Sequence, residues 1–424
     1  MMKKIKYIFL LFCLYPFLMQ TDGQNKAYGL DIEKNKVIST DRQDGRYIST
    51  RGVVHALMKR NVPAYAFHSD FSQREFNYWK EGLRGKMKDL MRHPNLRDLP
   101  TPKRVSCEKR EGYRIEKWES YPLPECVVPF LMLIPDQVNA GNPVPGVLCI
   151  PGSGRTKESL AGEPELETKY ARPRFQEENE MALKYVKIGL VAVVVDNPCI
   201  GECSDLEKYT VAPSYYFDES ARCLLELGWS YLGYSSYVDM HVLSWMKEQP
   251  FIRKERLIVS GHSLGTEPLM VLGALDPTIY GFVYSDFLCR TLERIIVMTE
   301  PKENGYRPFP NSIEHLIPEF LCNFDFPDIV SSLAPRPIIF TEGGLDRDLE
   351  MVRQAYRIAG HPENIEIHFY PKYADPDSRK TKGNLPEGVN REAYFDLTNV
   401  DAPNHCFKEN LIIPWVKKIL SEDK

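Results

Sequence analysis

The stretch VSGHSLGTEP, residues 259–268, sets a serine between two glycines in the pattern Gly261-x-Ser263-x-Gly265. A serine hydroxyl is a poor nucleophile unaided. It becomes a useful one where a general base takes its proton and preorganised N–H groups receive the oxyanion that forms. Glycines on both sides suit that chemistry, because they permit a strained turn that lifts the hydroxyl above its surroundings. The pentapeptide is short enough to occur by chance, so its neighbours decide. "RLIVS" before it has strand character and "PLMVLGAL" after it has helical character, which puts Ser263 on a strand-to-helix turn. The N-terminus of that helix offers N–H groups and a positive dipole end to an oxyanion.

A nucleophile on such a turn requires an acid and a histidine later in the chain, in the order Ser, acid, His. His405, in "DAPNHCFKEN", lies on a late loop before the last helical segment, and it alone of the nine histidines has that position. The acid is expected at the end of a late strand, where "IIFTEGGLDRD" offers three carboxylates. Asp346, just past the Gly-Gly turn, is the preferred residue, with Glu342 and Asp348 as competitors. A tetrahedral intermediate also needs two N–H donors. Leu264, directly after the nucleophile, is one. The second is expected in "IPGSGRTKES", where Gly152, Ser153 and Gly154 let the backbone approach a substrate; Ser153 N–H is favoured and Gly154 is the neighbour that could replace it. His262 inside the elbow, His368 in a strand and His241 on an amphipathic helix have packing roles.

These residues need a frame, and the order of elements supplies one. From about residue 104, apolar strand-like runs ("CVVPFLMLIP", "VPGVLCIPGSG", "LVAVVVDNP", "RPIIFTEGG", "NIEIHFYP") alternate with helical segments as far as the closing "FKENLIIPWVKKIL". That alternation predicts an α/β class with a mostly parallel central sheet flanked by helices. Residues 25–103 lack clear strands, and "REFNYWKEGLRGKMKDLMRH" predicts an N-terminal helical extension packed on the main domain of 104–424. A cap-like insertion is expected at about 290–333.

Composition narrows the partners. The 424 residues carry a net charge of −4 with both signs interspersed, which argues against a nucleic-acid surface and for a small-molecule or neutral-polymer partner. Residues 1–24 join three lysines to the apolar run "YIFLLFCLYPFLM" and read as a signal peptide, so export to the periplasm or beyond is expected, with no membrane span in the mature protein. Nine cysteines remain after it, too few for a disulfide scaffold; Cys199 and Cys203 are close enough to form a local disulfide, and no zinc-like spacing accompanies them.

Together, "GHSLG", "IPGSG", the acid after "TEGG" and the histidine of "NHCF" resemble the α/β-hydrolase superfamily. Within it the chain is similar to the secreted bacterial acetyl xylan esterase-like branch, related to dienelactone hydrolases and including esterase-like proteins linked to polysaccharide uptake. The resemblance implies an eight-stranded type of sheet, a Ser263–His405–Asp346 triad working through an acyl-enzyme, no metal or organic cofactor, and a short-chain ester, acetyl above all, on carbohydrate as substrate. Pro151 departs from the histidine that many members carry before the oxyanion glycine. A peptidase or lactonase using the same triad, and an exported binding protein that has lost turnover, are the alternative readings. Tyr306, Phe309, Phe320, Phe324 and Phe326 in the insertion could face a sugar ring or form the insertion's own core.

Overall fold

Strand-forming runs with no polar face must be covered on both sides, and the fold is arranged around that requirement. The computed structural model describes residues 40, 42–163, 180–204, 217–302 and 305–421; the expected signal peptide and most of the loop after Gly162 lie outside the described residues. Among the described residues there are twelve strands: β1 (Lys103–Arg110), β2 (Tyr113–Ser120), β3 (Val128–Pro135), β4 (Val144–Ile150), β5 (Val191–Val195), β6 (Ile252–His262), β7 (Gly281–Ser285), β8 (Met298–Lys302), β9 (Gly305–Pro308), β10 (Ile338–Phe340), β11 (Ile365–Ile367) and β12 (Val389–Asn390). Nine of them form one sheet in the order β1-β2-β3-β5-β4-β6-β7-β10-β11. From β5 to β11 neighbouring strands are parallel, while β1, β2 and β3 add an antiparallel edge.

The two faces are visible in single strands. Leu148 and Ile150 of β4 enter one core, with Val193 of β5 and Val259 of β6. Val147 and Cys149 enter the other, with Ala192, Val194 and Ile258. This two-residue alternation lets an all-apolar strand serve both faces. Helices Tyr231–Lys247 and Thr266–Leu275 contribute to the first core, and helices Met181–Lys187 and Glu409–Ser421 to the second.

The sheet has one strand more than the resemblance implies. The outermost strand, β1, is charged and largely exposed, so it carries no apolar alternation to announce it, as suits an edge that must resist pairing with other chains. Ahead of it, helix Gln73–Met91 starts at a capping box formed by Ser72 and Glu75. It buries Phe76, Trp79, Leu83, Met87 and Met91, spaced for one helical face, in the same core as Leu269 and Met270 of the helix that follows Ser263. The N-terminal region thus braces the element that carries the candidate nucleophile.

Between β7 and β10 the chain forms helix Thr291–Val297 and the hairpin β8–β9, and β12 joins that hairpin from much later in the sequence in the order β12-β8-β9. Phe320 and Phe324 are buried against each other with ring centroids 5.0 Å apart, in the main core. They are packing residues and not faces for a sugar. Among the described residues, no helix is long and apolar enough to cross a membrane.

Candidate active site

The glycine pattern around Ser263 has a direct steric reason. Ser263 takes φ 52°, a left-handed conformation uncommon for any residue with a side chain. A Cβ on Gly261 would lie 2.4 Å from the carbonyl oxygen of Gly265, and one on Gly265 would lie 2.3 Å from that of Ile150. The turn can therefore close only with glycine at both places. Thr266 Oγ1 donates to the carbonyl of Ser263 at 2.7 Å, and the helix Thr266–Leu275 starts at once, leaving Ser263 partly exposed at its N-terminus.

The end of β4 lies against this turn. A Cβ on Gly152 would sit 3.0 Å from Ser263 Cβ and 2.9 Å from His262 Nδ1, so the backbone at Gly152 passes in contact with the serine. Ser153 is exposed there, and Gly154 turns the chain at φ 83°. Gly152 thus meets Ser263, with Ser153 and Gly154, the expected donors, directly after the one and Leu264 directly after the other.

The segment is held from behind by the loop that follows β5. Asn197 Nδ2 donates to the carbonyl of Pro151 at 2.7 Å, and Asp196 accepts from the backbone N–H of Lys157 at 2.7 Å, so the two residues grip the segment at both ends. The Lys157 ammonium is fully buried, 2.8 Å from Asp196, 2.7 Å from Glu158 and 2.6 Å from Glu202. Burial alone would lower its pKa, but those three carboxylates outweigh it and hold the lysine charged. Cys199 and Cys203, on this same loop, are present as thiols.

On the other side of Ser263 the arrangement differs from expectation. The acid that meets His405 is Glu342, not Asp346. His405 Nδ1 lies 2.5 Å from Glu342 Oε2, and Glu342 is completely buried. The reason is distance along the chain. Strand β10 ends at Phe340, which leaves Glu342 at its mouth; Gly343 and Gly344, at φ 66° and 141°, then carry the backbone away. Asp346 opens helix Asp346–Ile358 and pairs with Arg379, while Asp348 is buried against Arg290 at 2.7 Å. Glu342 had been visible in the sequence as a competitor, two residues beyond the strand.

Burial would depress the His405 imidazolium, but the charge and hydrogen bond of Glu342, with Asp286 adding to them, prevail and raise its pKa to about 9. Its ring stacks on that of His262, the residue before Ser263, at a centroid distance of 4.5 Å. His262 is held well below the usual histidine range by burial and by the positive charges of His405, Arg155 and Lys408, and it stays neutral. Asp286, just after β7, is raised by burial to about 7, against the opposing pull of His405. Among the described residues, His262, Glu342 and His405 are the group whose donor atoms come near enough, within 4.8 Å, to be considered for a metal ion. Two of the three, however, already satisfy each other through a hydrogen bond.

Tyr370 and Lys408, which nothing in the sequence singled out, complete this side. Tyr370 donates its hydroxyl to Glu342 Oε2 at 2.5 Å, and Lys408 Nζ stands 3.7 Å from Oε1. Their signal is purely spatial, since 28 and 66 residues separate them from Glu342.

Residues 30–418 match the Abhydrolase family. A crystal structure from Bacteroides fragilis, of a protein provisionally named an acetyl xylan esterase, is 57% identical with a TM-score of 0.86, over 91% of this chain and 99% of that one. A methylesterase is 15% identical with a TM-score of 0.50, over 72% of this chain and 61% of its own, a likeness of fold. A glucuronoyl esterase from Teredinibacter turnerae is 12% identical with a TM-score of 0.49, over 94% and 100% of the two chains. No curated protein matches.

Proposed function

The chain belongs to the Abhydrolase family, and on that premise we propose that it is an exported serine esterase that removes acetyl or similarly short acyl groups from carbohydrate through an acyl-enzyme. The observation that carries this reading is the pairing of His405 Nδ1 with the buried carboxylate of Glu342, beside a serine held at positive φ.

In this mechanism the Nδ1–H of His405 is tied to Glu342, which leaves Nε2 as the acceptor for the Ser263 proton. Ser263 Oγ attacks the ester carbonyl, and the oxyanion is received by the N–H of Leu264 and a second N–H from the Ser153–Gly154 segment. The tetrahedral adduct collapses as the C–O bond to the sugar breaks and the imidazolium protonates the departing alkoxide oxygen, releasing the sugar hydroxyl. Water, deprotonated by the same imidazole, then releases the acid. Glu342 takes the role that the sequence suggested for Asp346, fixing the tautomer and stabilising the imidazolium.

The short acyl group and the carbohydrate alcohol rest on the relative from Bacteroides fragilis and its provisional name. Export rests on the basic and apolar character of residues 1–24.

Hydrolysis of p-nitrophenyl acetate and p-nitrophenyl butyrate by the mature protein and by Ser263→Ala tests the reading. Acetate should be preferred, and the variant should lose at least about 1,000-fold in kcat. Equal turnover by the variant, or none by a folded wild-type protein that also fails to react with a fluorophosphonate, would refute it. Acetylated xylo-oligosaccharides against free-acid controls then test the alcohol.

A further inference from the structure

Glu342 is held by more donors than a histidine-orienting carboxylate needs. Oε2 accepts from both His405 Nδ1 and Tyr370 Oη, each at 2.5 Å. Oε1 accepts from the backbone N–H of Cys406 at 3.2 Å and faces Lys408 Nζ at 3.7 Å. Tyr370 is fully buried between Tyr373 and Val400, and the Lys408 ammonium lies 5.4 Å from the centroid of its ring. Packing alone would be served as well by phenylalanine, whereas a buried phenol needs a partner, and here that partner is Glu342.

A buried carboxylate facing a single imidazole stabilises the imidazolium and would keep the base protonated at neutral pH. We propose that Tyr370 and Lys408 are positioning residues that draw on the charge of Glu342, holding the carboxylate in place while limiting how strongly it traps a proton on His405. This inference rests on the acid–base roles assigned above to Glu342 and His405.

The groups facing His405 fix the sign of the effect. Glu342 and Asp286 favour the imidazolium and Lys408 disfavours it, while His262 is a neutral stacking neighbour. Burial first, then Glu342, with Asp286 and Asp401 adding to them, hold the Tyr370 hydroxyl protonated, so it serves as a donor throughout. Removing the phenol O–H, or the lysine charge, concentrates the Glu342 charge on His405. Its pKa should then rise.

The test is a 15N NMR titration of His405 in the mature protein, in Tyr370→Phe, and in Lys408→Met with Lys408→Arg as its charge-conserving control. The resonance is assigned by its loss in His405→Gln. The phenylalanine and methionine variants should titrate about 0.5 to 1 pH unit higher than wild type, and the arginine variant within about 0.3 unit of it. The acid limb of the kcat/KM profile should move in the same direction, with a fall in kcat of roughly three- to tenfold and little change in KM.

An unchanged His405 titration in a folded Tyr370→Phe overturns the role of Tyr370, and an unchanged titration in Lys408→Met overturns that of Lys408. A loss of kcat with an unmoved titration would make these residues merely structural and also overturns the proposal. If Tyr370→Phe does not fold, the lysine pair decides. The titration needs no turnover, so absence of Ser263-dependent hydrolysis in the wild type would refute the esterase reading while leaving this inference to be decided by NMR.

Discussion

On one side of Ser263, the Pro151–Lys157 segment is gripped by Asn197 and Asp196 and backed by a lysine paired with three carboxylates. On the other side, Glu342 is shared among His405, Tyr370, the Cys406 N–H and Lys408. Both sides bury charge, but to different ends. Lys157 is wholly buried with Asp196 and Glu158, while Glu202 reaches it from the surface, and the cluster fixes a backbone path. His405 keeps 27% of its side chain exposed and can exchange its proton with a substrate. The proposed acyl transfer needs rigid donors and a mobile proton, and on that reading separate charge clusters would serve the two.

The largest expected loss comes from the mobile side. Glu342→Gln presents an amide that can steer His405 to the wrong tautomer, and kcat should fall by about 1,000- to 10,000-fold, as measured with p-nitrophenyl acetate at saturation. The rigid side should respond in stability. Lys157→Met leaves Asp196 and Glu158 buried without their counter-charge, and chemical denaturation should show a loss of about 3–5 kcal/mol. A smaller effect should appear where the two sides meet. The added methyl of Gly152→Ala would press on His262 Nδ1 and Ser263 Cβ, so kcat should drop by about 10- to 100-fold while the melting temperature changes little. Smallest of all is Asp346→Asn. Its partner Arg379 also donates to the carbonyl of Tyr373, and kcat should stay within about threefold of wild type, with stability changed by less than about 1 kcal/mol. A large kcat loss in Asp346→Asn with little in Glu342→Gln would reverse the assignment of the acid.

Those contrasts also mark how far the sequence could be read. The elbow was legible because its constraint is local: Gly261 and Gly265 stand within two residues of Ser263, and each is required by a backbone contact that no other residue type permits. Strands β4 and β5 were legible from apolar runs, since burial on both faces leaves no other composition. The edge strand β1 was not, because exposure removes the apolar pattern. Asp346 was preferred over Glu342 because a one-dimensional reading sees the Gly-Gly pair as the end of the strand. In three dimensions the strand has already ended at Phe340, and the glycines turn the chain away from the site. Cys199 and Cys203 drew attention as a pair, whereas the residues of that loop that grip the segment after β4 are Asp196 and Asn197.

By itself, the sequence determined the alternating α/β order, the strained serine turn, and a late histidine on a loop before the last helix, because each depends on neighbours a few residues apart. The tertiary structure alone decided which carboxylate meets His405, that Tyr370 and Lys408 share it, and that a buried lysine secures the opposite loop. Those pairings join residues 28 to 66 positions apart on the acid side, and 39 for Lys157 with Asp196. Their energies depend on distance and burial in space, quantities that separation along the chain does not encode.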